Sequence, residues 1–205
     1  HWPIWVYPPP KSIPSGLALY DPTGYLAGWG DWAGQVPQVK SNDPSLSHQH
    51  LLSTMWDSAL ARHVEAGARV LLIQTGKGPL PIRGCPFWRE AIKFFQPHPL
   101  WKRFPHPGFT GMQFFGLASD LAFETSRLVQ ILPRQAEIFP LLRRLDAREF
   151  HLSDYLFEAR LGNGLLLGCS LNLAGGAGAQ PGGFRRNIAG SALLNALVDY
   201  LVHPD

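Results

Sequence analysis

Two cysteines are all that this chain of 205 residues contains. At most one internal disulfide can form, so a disulfide-framed fold is excluded. Charge is also scarce: Asp, Glu, Lys and Arg make up 16% of the residues, and the formal net charge is +3. The basic residues are scattered, and their densest group, Arg143, Arg144 and Arg148, is interleaved with Asp146 and Glu149. A nucleic-acid-binding chain shows a stripe or a basic tail instead, so no nucleic-acid partner is expected. No apolar run approaches the roughly 20 residues of a membrane span, and no membrane partner is expected. The composition is not that of a disordered chain either, because 45% of the residues are hydrophobic. The chain opens on His1, with no basic stretch and apolar run behind it. It is therefore read as a processed chain or an excised domain, its targeting signal out of view.

What is present is enough for a single domain with its own core, spanning 1–205. With 21 glycines and 19 prolines, much of the chain is loop. Ile4-Trp5-Val6-Tyr7 reads as a first strand, stopped by Pro8-Pro9-Pro10. Residues 11–45 read as a loop insertion, with room for one strand at Gly16–Tyr20. Leu52, Met55, Trp56, Ala59, His63 and Val64 recur at helical spacing and predict a helix over Ser47–Ala66, ended by Gly67. Arg69–Gln74 is apolar at consecutive positions, as in a parallel strand covered on both faces. Pro86–Phe95 reads as a helix with proline at its first position. Short strands are predicted around Met112–Phe115 and at Arg127–Leu132. Tyr155–Arg160 and Leu165–Leu171 flank Gly162-Asn163-Gly164, a hairpin signal. The last helix is Asn187–His203, with Leu194, Leu197, Val198 and Leu201 as its stripe. The expected fold is α/β: three layers, a mostly parallel sheet, and a C-terminal β-hairpin and helix.

The chemistry is sparse. Cys169 lies within a strand run and reads as a core residue. Cys85 precedes Pro86, where a helix start would lower its thiol pKa, and is the candidate reactive thiol. His98 and His106 are the nearest bases. The acids Asp120, Glu124, Glu137, Asp146, Glu149, Asp154 and Glu158 follow no pairing pattern. Glu158, inside a strand, is expected to meet an arginine or a backbone donor. His48-x-His50 lacks a third ligand at zinc spacing, and the glycine tract Gly175–Gly183 lacks the ending of a phosphate loop. No metal, cofactor or catalytic residue is assigned. Trp29 and Trp32, in Gly28-Trp29-Gly30-Asp31-Trp32, lie in a glycine-rich loop and are the candidates for stacking on a sugar. The alternative for both is a loop pinned to the domain by its tryptophans.

Several segments resemble a known family in sequence order. They are Ile4-Trp5-Val6-Tyr7-Pro8, the strand Arg69–Ile73, and Pro86-Phe87-Trp88-Arg89. His98-Pro99 with Phe104-Pro105 and Met112-Gln113-Phe114-Phe115 follow. Leu145-Asp146, Leu156-Phe157-Glu158-Ala159, Gly162-x-Gly164 and a helix like Ala192–Leu197 complete the set. Together they resemble the C-terminal domain of large bacterial glycoside hydrolases of family 2, the β-galactosidase and β-glucuronidase group. The resemblance implies a flavodoxin-like fold similar to class I glutamine amidotransferases, without their Cys-His-Glu triad. It also implies that the catalytic carboxylates lie in a separate barrel domain, so none is carried onto this chain. The implied partners are the catalytic domain of the same parent chain and an oligosaccharide, and a periplasmic or secreted parent fits. The function expected on this basis is a non-catalytic accessory domain of a carbohydrate-active enzyme. Two other readings stay open: a free-standing hydrolase or amidotransferase-like enzyme using Cys85, and a stand-alone carbohydrate-binding module.

Overall fold

The structure, a computed structural model, describes residues 4–9, 12–40, 50–175, 183–184 and 186–204. Its centre is one mixed sheet of nine strands. Four are parallel neighbours: β1 (Leu17–Tyr20), β2 (His50–Ser53), β3 (Arg69–Ile73) and β9 (Gly164–Cys169). Beyond β9 the direction reverses. β8 (Leu152–Leu161) pairs antiparallel with β9, β7 (Glu137–Asp146) with β8, and β5 (Ala91–Phe95) with β7. β4 (Ile82–Gly84) and β6 (Leu121–Phe123) form a short antiparallel pair, joined to β8 at Asp154. Asp154 already faces Arg143 of β7. A strand residue has two edges, so β6 continues the edge that β9 occupies further along β8.

The α/β character is as expected, but the sheet is not mostly parallel. Among the described residues, three pairings of its named strands run parallel, between β1 and β2, β2 and β3, and β3 and β9, and the others run antiparallel. The cause is the long β7–β8–β9 meander, whose middle strand is buried from Ser153 to Ala159. β3 shows why its sequence is continuously apolar. Val70 and Leu72 join one buried cluster and Leu71 and Ile73 the other, one on each face of the sheet. Helix α2 (Ser58–Glu65) covers the first face through Leu60 and Val64. Helix α4 (Ile188–Val202) covers the second through Leu193, Leu194, Leu197 and Leu201. Leu197 is fully buried. Leu197→Ala is expected to cost about 3 kcal/mol, read as a fall in the chemical-denaturation midpoint. An unchanged midpoint would show that α4 is peripheral.

Several elements differ from the sequence expectation. Ile4–Tyr7 forms no strand: Ile4 and Val6 are exposed, while Tyr7 stacks on Phe104 and its hydroxyl donates to Gln113. The stretch 11–45 is not all loop. Its described part supplies β1, a 3-10 turn at Leu26–Trp29 and the short helix α1 (Asp31–Gly34). The expected helix Ser47–Ala66 divides in two. His50–Ser53 extends the sheet, and α2 starts only after Asp57, whose carboxylate accepts from the Leu60 N–H. The strands β2 and β3 are parallel neighbours joined through α2, a βαβ unit. Pro86–Phe95 is a turn followed by β5, not a helix. Met112–Leu117 is a 3-10 helix. Arg127–Leu132 is the end of a short helix, α3 (Thr125–Leu128), and its turn.

The C-terminal hairpin is present. Its turn has positive φ at Gly162 and not at Asn163, the pattern of a II′ turn rather than I′. The turn also lies against the end of α2: the Asn163 N–H donates to the Glu65 carbonyl, and the Leu165 N–H to Ala68.

Candidate functional site

Parallel strands end at one edge of the sheet, and the segments that leave them gather there. β9 ends at Cys169, and Asn172 donates its N–H to Leu117, closing that segment onto the 3-10 helix Met112–Leu117. Asn187, the N-cap of α4, ties the same region together. Its side-chain oxygen accepts from Gly190, and its amide donates to the carbonyls of Gly116 and Leu173. On the far side, the turn after β4 is held by Asp120. The Cys85 N–H donates to the Asp120 carbonyl, and the Phe87 N–H to its Oδ1 at 2.9 Å.

Between these segments lies an open groove of about 750 Å³. Trp88, Phe115, Asp120, Asn172, Arg186 and Asn187 contribute to its walls. Trp88 is 49% exposed and Phe115 63% exposed, high values for rings of that size. Phe87, next to Trp88, is the buried anchor: it packs against Tyr155 at 4.9 Å and Phe114 at 6.3 Å. Lys93 of β5 is buried, donates to the Phe87 carbonyl and lies over the rings of Phe87 and Trp88, 4.8 and 5.3 Å from their centroids. Burial and the nearby Arg144 push the Lys93 ammonium below its ordinary range.

The residues singled out from sequence lie elsewhere. Trp29, expected as an open face for a sugar, is 5% exposed and sits in the core, edge-on to Phe184 at 5.2 Å. Trp32 is half-buried and packs on both Trp29 and Phe184. The pair therefore pins its loop. Cys85 is buried beneath the β4–β5 turn, and no helix follows it to lower its pKa. Burial pushes its thiol up, against a weaker opposing pull from Tyr155, whose hydroxyl is 3.9 Å from the sulfur. Cys169 is fully buried, its thiol pushed up to about 12. A thiol that stays protonated and covered is a poor nucleophile. Iodoacetamide at neutral pH is expected to label folded Cys85 more slowly than a free-thiol peptide, and to label both cysteines once the chain is unfolded. Fast, selective labelling of folded Cys85 would show that its sulfur is accessible and activated.

Most of the candidate acids are tied to arginines. Asp154 pairs with Arg143, Asp146 with Arg144, Glu149 with Arg83 and Glu124 with Arg127. Glu158, fully buried on β8, meets Arg160 as expected, and also Tyr200 of α4 and His98. Burial alone would raise its carboxyl, but the hydrogen bonds from His98, Tyr200 and Arg160 outweigh that and hold it below the ordinary value of 4.5. His48 and most of the glycine tract lie outside the described residues. Among the described residues no three His, Cys, Asp or Glu side chains converge as a metal site, and no helix is long and apolar enough to cross a membrane.

No family model matches the chain, and no curated protein sequence matches it. Solved structures similar to it include two β-galactosidases. One is the β-galactosidase from Bacillus circulans sp. alkalophilus: 12% identity, TM-score 0.41, covering 81% of this chain and 24% of that one. The other is a cold-adapted β-galactosidase from Rahnella sp. R3: 10% identity, TM-score 0.46, covering 87% of this chain and 26% of that one. The chain thus spans about a quarter of the length of each.

Proposed function

We propose that this chain is a non-catalytic accessory domain of a carbohydrate-active enzyme, packing on the catalytic domain of a longer parent chain and shaping its sugar cleft. The flavodoxin-like, glutamine amidotransferase-like layering implied by the sequence resemblance belongs to the same reading. One observation carries it. Asp146, Asp154 and Glu158 are paired with arginines and both cysteines are covered, whereas the carboxyl edge of the parallel strands holds an open groove walled by aromatic rings. Such an edge is where α/β domains place ligands. A groove without an activated nucleophile or a facing pair of carboxylates suits binding, not bond cleavage.

The test is an activity assay on the chain alone with aryl galactosides and aryl glucuronides, followed by the same assay on the parent with and without this domain. The isolated chain is expected to show no turnover, and its removal to raise the parent's KM. Turnover by the isolated chain that disappears in one acid-to-alanine variant would overturn the proposal.

A further inference from the structure

The groove supports a more specific reading, which rests on the carbohydrate reading above. We propose that it binds a short neutral oligosaccharide, with the face of Trp88 as the stacking platform and Asp120 as the acceptor for ring hydroxyls. A pyranose has one apolar C–H face and a rim of hydroxyls. It needs a flat ring beside a fixed acceptor, and the groove places these two together.

Trp88 is pre-set for this role. Lys93 lies over its ring and Phe87 meets it edge-on at 4.8 Å. Lys93 is buried while Trp88 is half exposed, so we assign the ring face turned away from the ammonium to the ligand. A ring already fixed costs little entropy when a ligand stacks on it. Asp120 is pre-set in the same way. Its Oδ1 is fixed by the Phe87 N–H, while Oδ2 has no partner among the described residues. The carboxylate that fixes the Phe87–Trp88 turn is thus also the acceptor beside Trp88, and both line the groove. Phe115, exposed on the same groove, supplies a second apolar surface for a neighbouring sugar ring. The groove volume falls within the roughly 300–1,000 Å³ of small-ligand sites. Asp120, beside the Trp88 platform, repels a uronate whose carboxylate faces it, and Arg186 on the same groove is the competing cation that the glucuronate arm of the experiment reads.

The experiment titrates the chain by calorimetry with neutral di- and trisaccharides of galactose, glucose and mannose, and with a glucuronate-containing analogue. At least one neutral sugar is expected to bind. Trp88→Ala is expected to weaken it about tenfold, with the melting temperature little changed because the ring is half outside the core. Asp120→Asn keeps the acceptor for Phe87 but loses the charge, and a loss of about fivefold is expected. Lys93 is a positioning residue. Lys93→Met is expected to weaken binding in the wild-type background and to have no further effect beside Trp88→Ala, a coupling that general loosening of the fold would not give. Trp32→Ala is the control and leaves affinity unchanged.

Unchanged affinity in Trp88→Ala overturns the proposal. So does the absence of binding by any sugar to the folded chain, or a preference for the glucuronate analogue. These failures are distinct from failure of the accessory-domain reading, which is decided by turnover of the isolated chain.

Discussion

Gly164→Val is expected to destabilise the fold by about 5 kcal/mol, lowering the melting temperature by roughly 10–20 °C. Gly164 opens β9, next to the hairpin turn, and is buried. A Cβ there would stand 1.9 Å from the Val64 carbonyl oxygen and 2.4 Å from that of Ala68. Both atoms are backbone. Val64 belongs to α2, and the Ala68 carbonyl accepts from Leu165, so neither can retreat without breaking the contact between helix and hairpin. Overpacking against a side chain is relieved by a rotamer change, whereas overpacking against backbone carbonyls displaces a whole element. A thermal melt tests this directly. Gly168→Ala is the comparison, because the atoms nearest its Cβ belong to the side-chain ring of Phe157 and not to backbone, and a smaller loss is expected. Equal melting temperatures for Gly164→Val and the wild type would show that α2 and the hairpin are not in firm contact.

The same contact shows what was legible in the sequence. The hairpin could be read because turn chemistry is local: Asn-Gly between two strand runs marks it, although the positive φ falls at Gly162 and not at Asn163. That Gly164 must also be glycine depends on α2, about a hundred residues earlier, and no local pattern reports it. β3 and α4 were legible because one is apolar at every position from Val70 to Ile73 and the other carries a long stripe. β2 was not. Leu52, Met55 and Trp56 match helical spacing, and only the cap at Asp57, which also accepts from the Tyr20 hydroxyl, shows where sheet gives way to helix. β5 was hidden by Lys93, whose burial disturbs the alternation of apolar and polar residues. β7 was hidden by its register shifts at Pro140 and Leu142, which interrupt the two-residue period and admit a proline.

The groove is less legible still. Trp88, Phe115 with Asp120, and Asn172 come from three separate connections, and their meeting is a property of the sheet. The glycine-rich setting of Trp29 pointed the other way. Its burial depends on Phe184, from the far end of the chain.

Glu158→Ala is expected to cost about 4 kcal/mol at neutral pH, and Glu158→Gln about 2 kcal/mol. The carboxylate is fully buried, with Tyr200 donating at 2.7 Å, Arg160 at 3.0 Å and His98 at 3.3 Å. Alanine leaves the Tyr200 hydroxyl and the His98 imidazole without their acceptor in a site closed to water. Arg160 is 57% exposed and contributes less, because water screens its charge. Acid should reproduce part of the loss. The folded carboxyl lies below its ordinary 4.5, so the unfolded chain takes up the proton first. The stabilisation is fully present above pH 4.5 and is lost as the pH falls below it. Asp154, on the same strand, acts in the opposite sense. Burial raises its carboxyl above the ordinary 3.8, against the opposing pull of the nearby Thr125 hydroxyl and of Arg143, which pairs with it. Its protonation therefore favours the folded state, and the net acid response of the wild type mixes the two. The gap in urea midpoint between the wild type and Glu158→Gln separates them, since Asp154 is common to both. That gap is expected to be wide at pH 7 and to narrow as the pH is lowered through 4. A gap of the same size at both ends would mean that Glu158 holds α4 to β8 by shape and not by charge.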